Sequence, residues 1–264
     1  MVIMDVSLAT RLGFRLEGGG THSARTIMLA ELTDLLATVN DPGAPLENYR
    51  HAIESENCLA KRSSATRSRT YKHLAELYGL DPDVLLFRAL RYFWSRDAGA
   101  QPMLALLCSF ARDPLLRVSA PLILEAHQGA PVSLARMTAF LEKRFASRFS
   151  PATLTSTAQN ILASWVKSGH LIGVKSKTRA KAKPTPGAVG YALLLGYLSG
   201  ERGLSLFESE YARLLDCPVP IAMELAADAS RRGWLVFKRV ADVVEVLFPR
   251  LVSEAEKEGL REQA

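Results

Sequence analysis

Apolar residues recur at helical spacing along most of the chain, and alternating, strand-like runs are few. In RTIMLAELTDLLATV (25–39), Ile27, Leu29, Leu32, Leu35 and Leu36 fall on one side of a helix that DPGAP (41–45) breaks. ENYRHAIESE (47–56) predicts the next helix. Within 61–79, Ser63 or Ser64 is placed to cap a helix whose inward stripe is Tyr71, Leu74 and Tyr78 and which Gly79 closes. DVLLFRALRYFW and PMLALLCSFAR continue the series. Residues 1–118 therefore read as a helical bundle.

From residue 119 the texture changes. PLILEAH is a short apolar segment, and PVSLARMTAFLEKRF an amphipathic helix. In SPATLTSTAQNILASWVKSGHL, Ser150 is a good N-cap and Pro151 suits the first helical position. Leu154, Ala158, Ile161 and Trp165 form one apolar stripe. Beside it lie Thr153, Thr157, Asn160 and Ser164, all neutral hydrogen-bonding groups. A hairpin follows in LIGVKSKTR, with AKAKPTPG as its basic tip and then a return strand or helix. Helix, turn, polar-faced helix and basic hairpin is the order of a winged helix-turn-helix, assigned here to 119–190. The order recurs over 191–264: ERGLSLFESEYARLLD as one helix, PVPIAMELAADASRRGWL as the next, then two strands joined at Ala241-Asp242. Gly169-His170-Leu171 and Gly233-Trp234-Leu235 occupy equivalent places, each after a helix and before a hairpin. The tail SEAEKEGLREQA reads as a charged, fraying helix. The expected class is mainly α, a helical bundle followed by two winged-helix-like modules with short β-hairpins.

Charge sharpens this picture through its distribution. The whole chain of 264 residues carries +6. Between Glu56 and Glu76 the net is +5, from Lys61, Arg62, Arg67, Arg69 and Lys72. Between Glu142 and Glu201 no acid occurs and the net is +9, which leaves the remainder of the chain at −8. Basic patches on an otherwise acidic protein are the electrostatic footprint of a polyanion binder. Mixed signs at i, i+4 spacing, the usual mark of a merely solvated helix, are missing from both windows.

Several chemistries find no pattern. GGGTHSART lacks the lysine of a P-loop, the five histidines form no metal-spaced pair, and no G-x-S-x-G elbow occurs. Cys58, Cys108 and Cys217 are isolated and read as reduced thiols. The longest apolar run, GAVGYALLLGYLS, is too short to span a bilayer, and Asp5 interrupts the N-terminal stretch, so no leader is expected. The expectation is a cytoplasmic protein with no catalytic residues, metal, cofactor or membrane partner, whose partner is double-stranded DNA. The expected contacts are Lys61, Arg62, Ser63, Thr66, Arg67, Arg69 and Lys72 at a helix start, and Lys143, Arg144 and Lys167 on phosphates flanking a groove. Thr153, Thr157 and Asn160 would enter that groove, with Lys175, Lys177, Arg179, Lys181 and Lys183 on the wing. Arg231, Arg232, Lys238 and Arg239 in the second module lie among acids and suit a protein-facing surface better. The competing reading of the first window has Arg62 and Arg67 paired with Glu54 or Glu56, holding the bundle together.

The stretch ENCLAKRSSATRSRTYKHLAELYGLD (56–81) resembles the BrxA family of bacterial phage-exclusion (BREX) defence systems. The likeness lies in KRS-x-x-TR at Lys61, Arg62, Ser63, Thr66 and Arg67, and in the closing pattern Leu74, Leu77, Tyr78, Leu80, Asp81. By order of elements it extends from about Arg25 to Leu251. The resemblance implies a small, non-enzymatic DNA-binding component encoded beside a methyltransferase, ATPases and other defence proteins, with an N-terminal region like the antitermination factor NusB. It fixes the first basic stretch and not the wing. Two alternatives remain: an RNA-binding NusB-like factor, and an adaptor that docks other defence proteins.

Overall fold

The computed structural model describes residues 6–145 and 148–261. Met1 to Asp5, Ala146, Ser147 and the last three residues lie outside it, and with them the residue on which the leader was discounted and the end of the tail. The described residues are mainly helical, with two small antiparallel hairpins.

The bundle comprises α1 (Val6–Leu12), α2 (Leu29–Thr38), α3 (Leu46–Glu54), α4 (Ser64–Tyr78), α5 (Leu85–Trp94), α6 (Gln101–Arg112), α7 (Pro114–Val118) and α8 (Ala120–Leu124). Ser63 is the cap of α4: its Oγ accepts from the Thr66 N–H at 3.2 Å, and Gly79 ends the helix at φ +92°. The buried stripe of α4 is Thr70, Leu74, Leu77 and Tyr78, with Tyr71 only half-buried. The predicted helix 25–39 starts late, at Leu29, because Met28 adopts a left-handed φ of +46°. The backbone before it is held elsewhere: the Ile27 N–H donates to Ser164 Oγ at 3.0 Å, and Tyr78 donates to the Ile27 carbonyl.

Next come α9 (Leu134–Arg144), capped by Ser133, and α10 (Pro151–Lys167), capped by Ser150. The expected apolar stripe of α10 is buried, and Trp165 donates its indole N–H to Ser119 Oγ at 2.8 Å. The first hairpin is shorter than expected: β1 (Leu171–Ile172) pairs with β2 (Thr178–Arg179), so Gly173–Lys177 forms the tip. Residues 180–185, AKAKPT, are the connection to the next helix. Residues 129–132 run along the free edge of β2, exchanging backbone bonds with Lys177 and Arg179. Pro184 in that connection supplies no N–H to extend a ladder.

The apolar run is a helix, α11 (Pro186–Leu198), apolar all round and buried between α5 and α6 on one side and α12 (Glu210–Arg213) and α13 (Val219–Arg231) on the other. A helix that is hydrophobic on every face needs such a surround. It makes the bundle and the C-terminal elements one contiguous core. The single helix expected over 201–216 is instead a 3₁₀ turn, Gly203–Phe207, followed by α12; Ser209 Oγ caps α12 by accepting from Ala212 N–H and so starts a new helix. Strands β3 (Val236–Val240) and β4 (Val243–Leu247) join at Ala241-Asp242 as expected. The closures at Gly169 and Gly233 share one geometry. These glycines take φ +84° and +69°, and in each case the following residue bonds back to the carbonyl five positions earlier. These are Schellman closures, for which glycine carries no Cβ penalty. The tail helix α14 (Glu254–Arg261) is tied down: Arg88 bonds Glu256 at 2.7 Å and the Leu251 carbonyl at 3.1 Å.

Candidate nucleic-acid interface

A strap formed by Gly20–Ile27 joins the two basic windows. It lies between α4 and α10 and bonds to both. Thr21 Oγ1 donates to Glu76 at 2.9 Å on the α4 side. On the α10 side, Asn160 donates its amide to the His22 carbonyl at 3.0 Å, and Lys167 donates to Thr26 Oγ1 at 2.9 Å. At the centre, His22 Nδ1 is 2.8 Å from Asp113 Oδ2 and Nε2 is 2.9 Å from Ser164 Oγ. A β-carbon on Gly20 would collide with the Asp113 carboxylate, so glycine is what lets the strap approach this closely.

Asp113, His22 and Ser164 have the connectivity of a hydrolytic triad but not its setting. All three are at most 1% exposed. Ser164 Oγ accepts from Ile27 N–H and also faces the Asn160 carbonyl at 2.8 Å, so no lone pair points at open space. Asp113 spends its other oxygen capping α7 through Leu115 and Leu116. Burial would raise the Asp113 pKa, but the His22 charge and three N–H donors outweigh it and hold the carboxyl below its usual range. The cluster is a buried polar brace. Sequence spacing could not reveal it, since its outermost members are far apart in the chain.

The brace decides how α10 is used. Its polar face, expected in a groove, packs on the strap instead. Thr157 is 1% exposed, and Asn160 and Lys167 are spent on His22 and Thr26. Half-burial lowers the Lys167 pKa, an effect nearby Glu31 partly offsets. Thr153 closes the helix start with Ser150. A neutral polar face suits a buried hydrogen-bonded seam as well as a groove, and the sequence alone does not separate the two. Arg179 is also internal. It is 5% exposed and forms a bidentate pair with Asp216 at 2.7 and 2.8 Å, besides donating to the His170 carbonyl. The wing arginine thus ties the first hairpin to the α12–α13 connection.

Most remaining cations face outward. Arg62, Arg69, Lys72, Lys143, Arg144, Lys175, Lys181 and Lys183 are exposed, and none is paired with a carboxylate among the described residues. Lys61 reaches Glu31 at 3.3 Å, and Lys177 donates to the Val174 carbonyl. Ser63 and Thr66 share the cap. Arg62 and Arg67 form no direct ion pair with Glu54 or Glu56: Glu54 takes Arg50 at 2.9 Å and Glu56 takes His51 at 3.5 Å, while Arg67 is half-buried with its Nε unbonded. The Arg67 charge adds only a smaller pull to the bonds from Arg50 and Ser68 that lower the Glu54 pKa. Two cations outside the expected set, Arg25 and Arg148, are also exposed. Arg25 sits on the strap close enough to His73 on α4 to disfavour its protonated form, as Lys72 does, though burial is the main reason the His73 pKa falls. Arg148 donates to the Gly18 carbonyl at 3.0 Å. Glu31 links the windows electrostatically, as partner of Lys61 and neighbour of Lys167. In the C-terminal module, by contrast, Arg231 and Arg232 pair with Asp228, and Lys238 with Glu245.

No family model matches the chain, and a search of curated proteins returns no significant match.

Proposed function

We propose that this chain is a non-enzymatic, double-stranded DNA-binding component of a BREX-type phage-defence system, engaging DNA mainly through phosphates. The observation that carries this reading is the set of exposed cations, unpaired with carboxylates among the described residues, just before and along α4 (Arg62; Arg69, Lys72) and around the α9–α10 turn (Lys143, Arg144, Arg148), with Arg25 on the strap bonded to α4 and α10. Exposed cations that no carboxylate pairs cost self-repulsion that a polyanion would relieve. Residues 129–132, α9, α10 and the β1–β2 hairpin follow the order of a winged helix, and α11 to β4 repeats it without the first edge strand. In this reading Lys175 and Lys177 reach phosphates from the wing, and Lys181 and Lys183 from the connection that follows it. Thr157, Asn160, Lys167 and Arg179 are not DNA contacts. With the polar face of α10 occupied, weak sequence preference is expected, because phosphate contacts position but do not specify.

The test is the salt dependence of binding to a labelled 20-base-pair duplex. Neutralising about 5–8 phosphates gives a slope of log K on log salt of about −5 to −7. Arg62→Ala/Arg69→Ala/Lys72→Ala and Lys175→Ala/Lys177→Ala/Lys181→Ala/Lys183→Ala should each weaken all duplexes alike and flatten the slope. A flat slope for the wild-type chain refutes the proposal, and stronger competition by structured RNA of equal length favours the RNA-binding alternative. The adaptor reading has its own observation: the charge-paired β3–β4 hairpin exposes Val240, Val243 and Leu247. That surface suits a protein partner in the same complex.

A further inference from the structure

Between the end of α9 and the start of α10 the chain interleaves cations with aromatic rings. Phe140, Phe145 and Phe149 are half-buried, while Lys143, Arg144 and Arg148 are exposed. The guanidinium of Arg144 lies 4.4 Å from the Phe140 ring centroid. That of Arg148 lies 5.4 Å from Phe149 and 5.8 Å from Phe145. The two rings meet edge to face at 5.8 Å, and Arg148 is further fixed by its bond to the Gly18 carbonyl. No carboxylate pairs with any of the three cations among the described residues.

This arrangement exceeds what phosphate binding needs. A cation that serves only phosphates gains from reach and freedom, as the wing lysines have. Here two planar guanidinium groups lie within cation–π range of rings while their residues stay exposed, which restricts their rotamers and keeps them at the surface. Phosphates do not require a flat face, whereas a nucleobase does. Bases stack on aromatic or guanidinium planes only when they are unpaired or splayed out, since a duplex hides their faces. Lys143 supplies a flexible charge for the phosphate that follows a stacked base.

We infer that the Phe140–Phe149 cluster is a single-stranded nucleic-acid site, in which an unpaired base stacks on Arg144 and another on Arg148. This deepens the proposed DNA binding and rests on the same charged surface. It adds the stacking of unpaired bases to the phosphate contacts that Lys143, Arg144 and Arg148 offer a duplex.

The experiment compares the full chain with Phe140→Leu, Phe149→Leu and Phe140→Leu/Phe149→Leu, each checked for an unchanged thermal transition. Binding is measured to oligo-dT and oligo-U 20-mers, to the 20-base-pair duplex, and to an abasic 20-mer at one salt concentration. The leucine variants keep every cation and remove the rings that hold Arg144 and Arg148. Stacking predicts oligonucleotide binding about 5- to 100-fold weaker in the variants, with duplex and abasic binding changed less than about twofold. Equal loss on duplex, abasic and single strands, or no loss on any, overturns the inference and leaves the duplex proposal standing. Loss of duplex binding by the wild-type chain sinks the proposed function, and retained oligo-dT or oligo-U binding there would still support this site. A preference between oligo-dT and oligo-U tells which strand chemistry the site takes.

Discussion

Removing Asp216 should destabilise the fold far more than removing a surface acid. Its partner Arg179 is 5% exposed, and Asp216 accepts bonds of 2.7 and 2.8 Å from the guanidinium and 2.9 Å from the Ala182 N–H. In Asp216→Ala the guanidinium keeps only the carbonyls of His170 and Ala180, with its charge uncompensated, and Ala182 N–H loses its acceptor. Breaking one partner of such a buried pair costs about 3–5 kcal/mol. Replacing both, as Arg179→Met/Asp216→Leu, should return stability to within about 1–2 kcal/mol of wild type, because the desolvation penalty of the ions disappears with them. The assay is urea unfolding of wild type, both single variants and the double variant, read as midpoints at unchanged m-value. A cost below about 1 kcal/mol for Asp216→Ala would mean that Arg179 escapes to solvent, and the reasoning that removes it from the DNA surface would fail. Duplex affinity of the folded double variant should equal wild type within about twofold, since no phosphate contact is lost.

Stability should fall with acid in a defined window. Burial pushes the His170 pKa down to about 4, although its bond to the Leu214 carbonyl and the charge of Asp216 oppose this. The unfolded chain binds that proton near pH 6.5, so stability is full above about 6.5 and is lost as pH falls toward 4, by roughly 3 kcal/mol. The depressed Asp113 carboxyl adds a further loss at lower pH, as it takes up its proton. Thermal midpoints from pH 7.5 to 4 check this, and a flat profile contradicts it. Ser164→Ala leaves the Ile27 N–H and a His22 ring nitrogen without partners, which should cost about 2–4 kcal/mol in the same urea assay; a neutral result would deny the brace. Ser63→Ala removes the α4 cap and should cost about 1 kcal/mol while leaving duplex affinity nearly unchanged.

What the sequence made legible follows from locality. The caps at Ser63 and Ser150, the apolar stripe of α10, the turn at Ala241-Asp242 and the two glycine closures each depend on residues a few positions apart, and all are where the pattern puts them. What failed depends on partners far away in the chain. The polar row Thr157, Asn160 and Ser164 has the composition of a groove-facing helix side, yet Thr157 is buried and Asn160 and Ser164 are bonded to the distant Gly20–Ile27 segment, which carries no periodic signal. Arg179 sits in the acid-free window between Glu142 and Glu201, and its acid, Asp216, lies beyond that window's end. Charge windows counted along the chain therefore overstate the free positive surface wherever a strap or a second module folds back on them. The same folding back explains why the exposed cations of α4 and of the α9–α10 turn are worth treating together. The strap that takes up the Asn160 amide is bonded to α4 through Thr21 and Tyr78, so one segment links α4 to α10. Under the proposed duplex binding, cations of both windows would meet phosphates without a base being read from α10, and little sequence preference is the expected outcome.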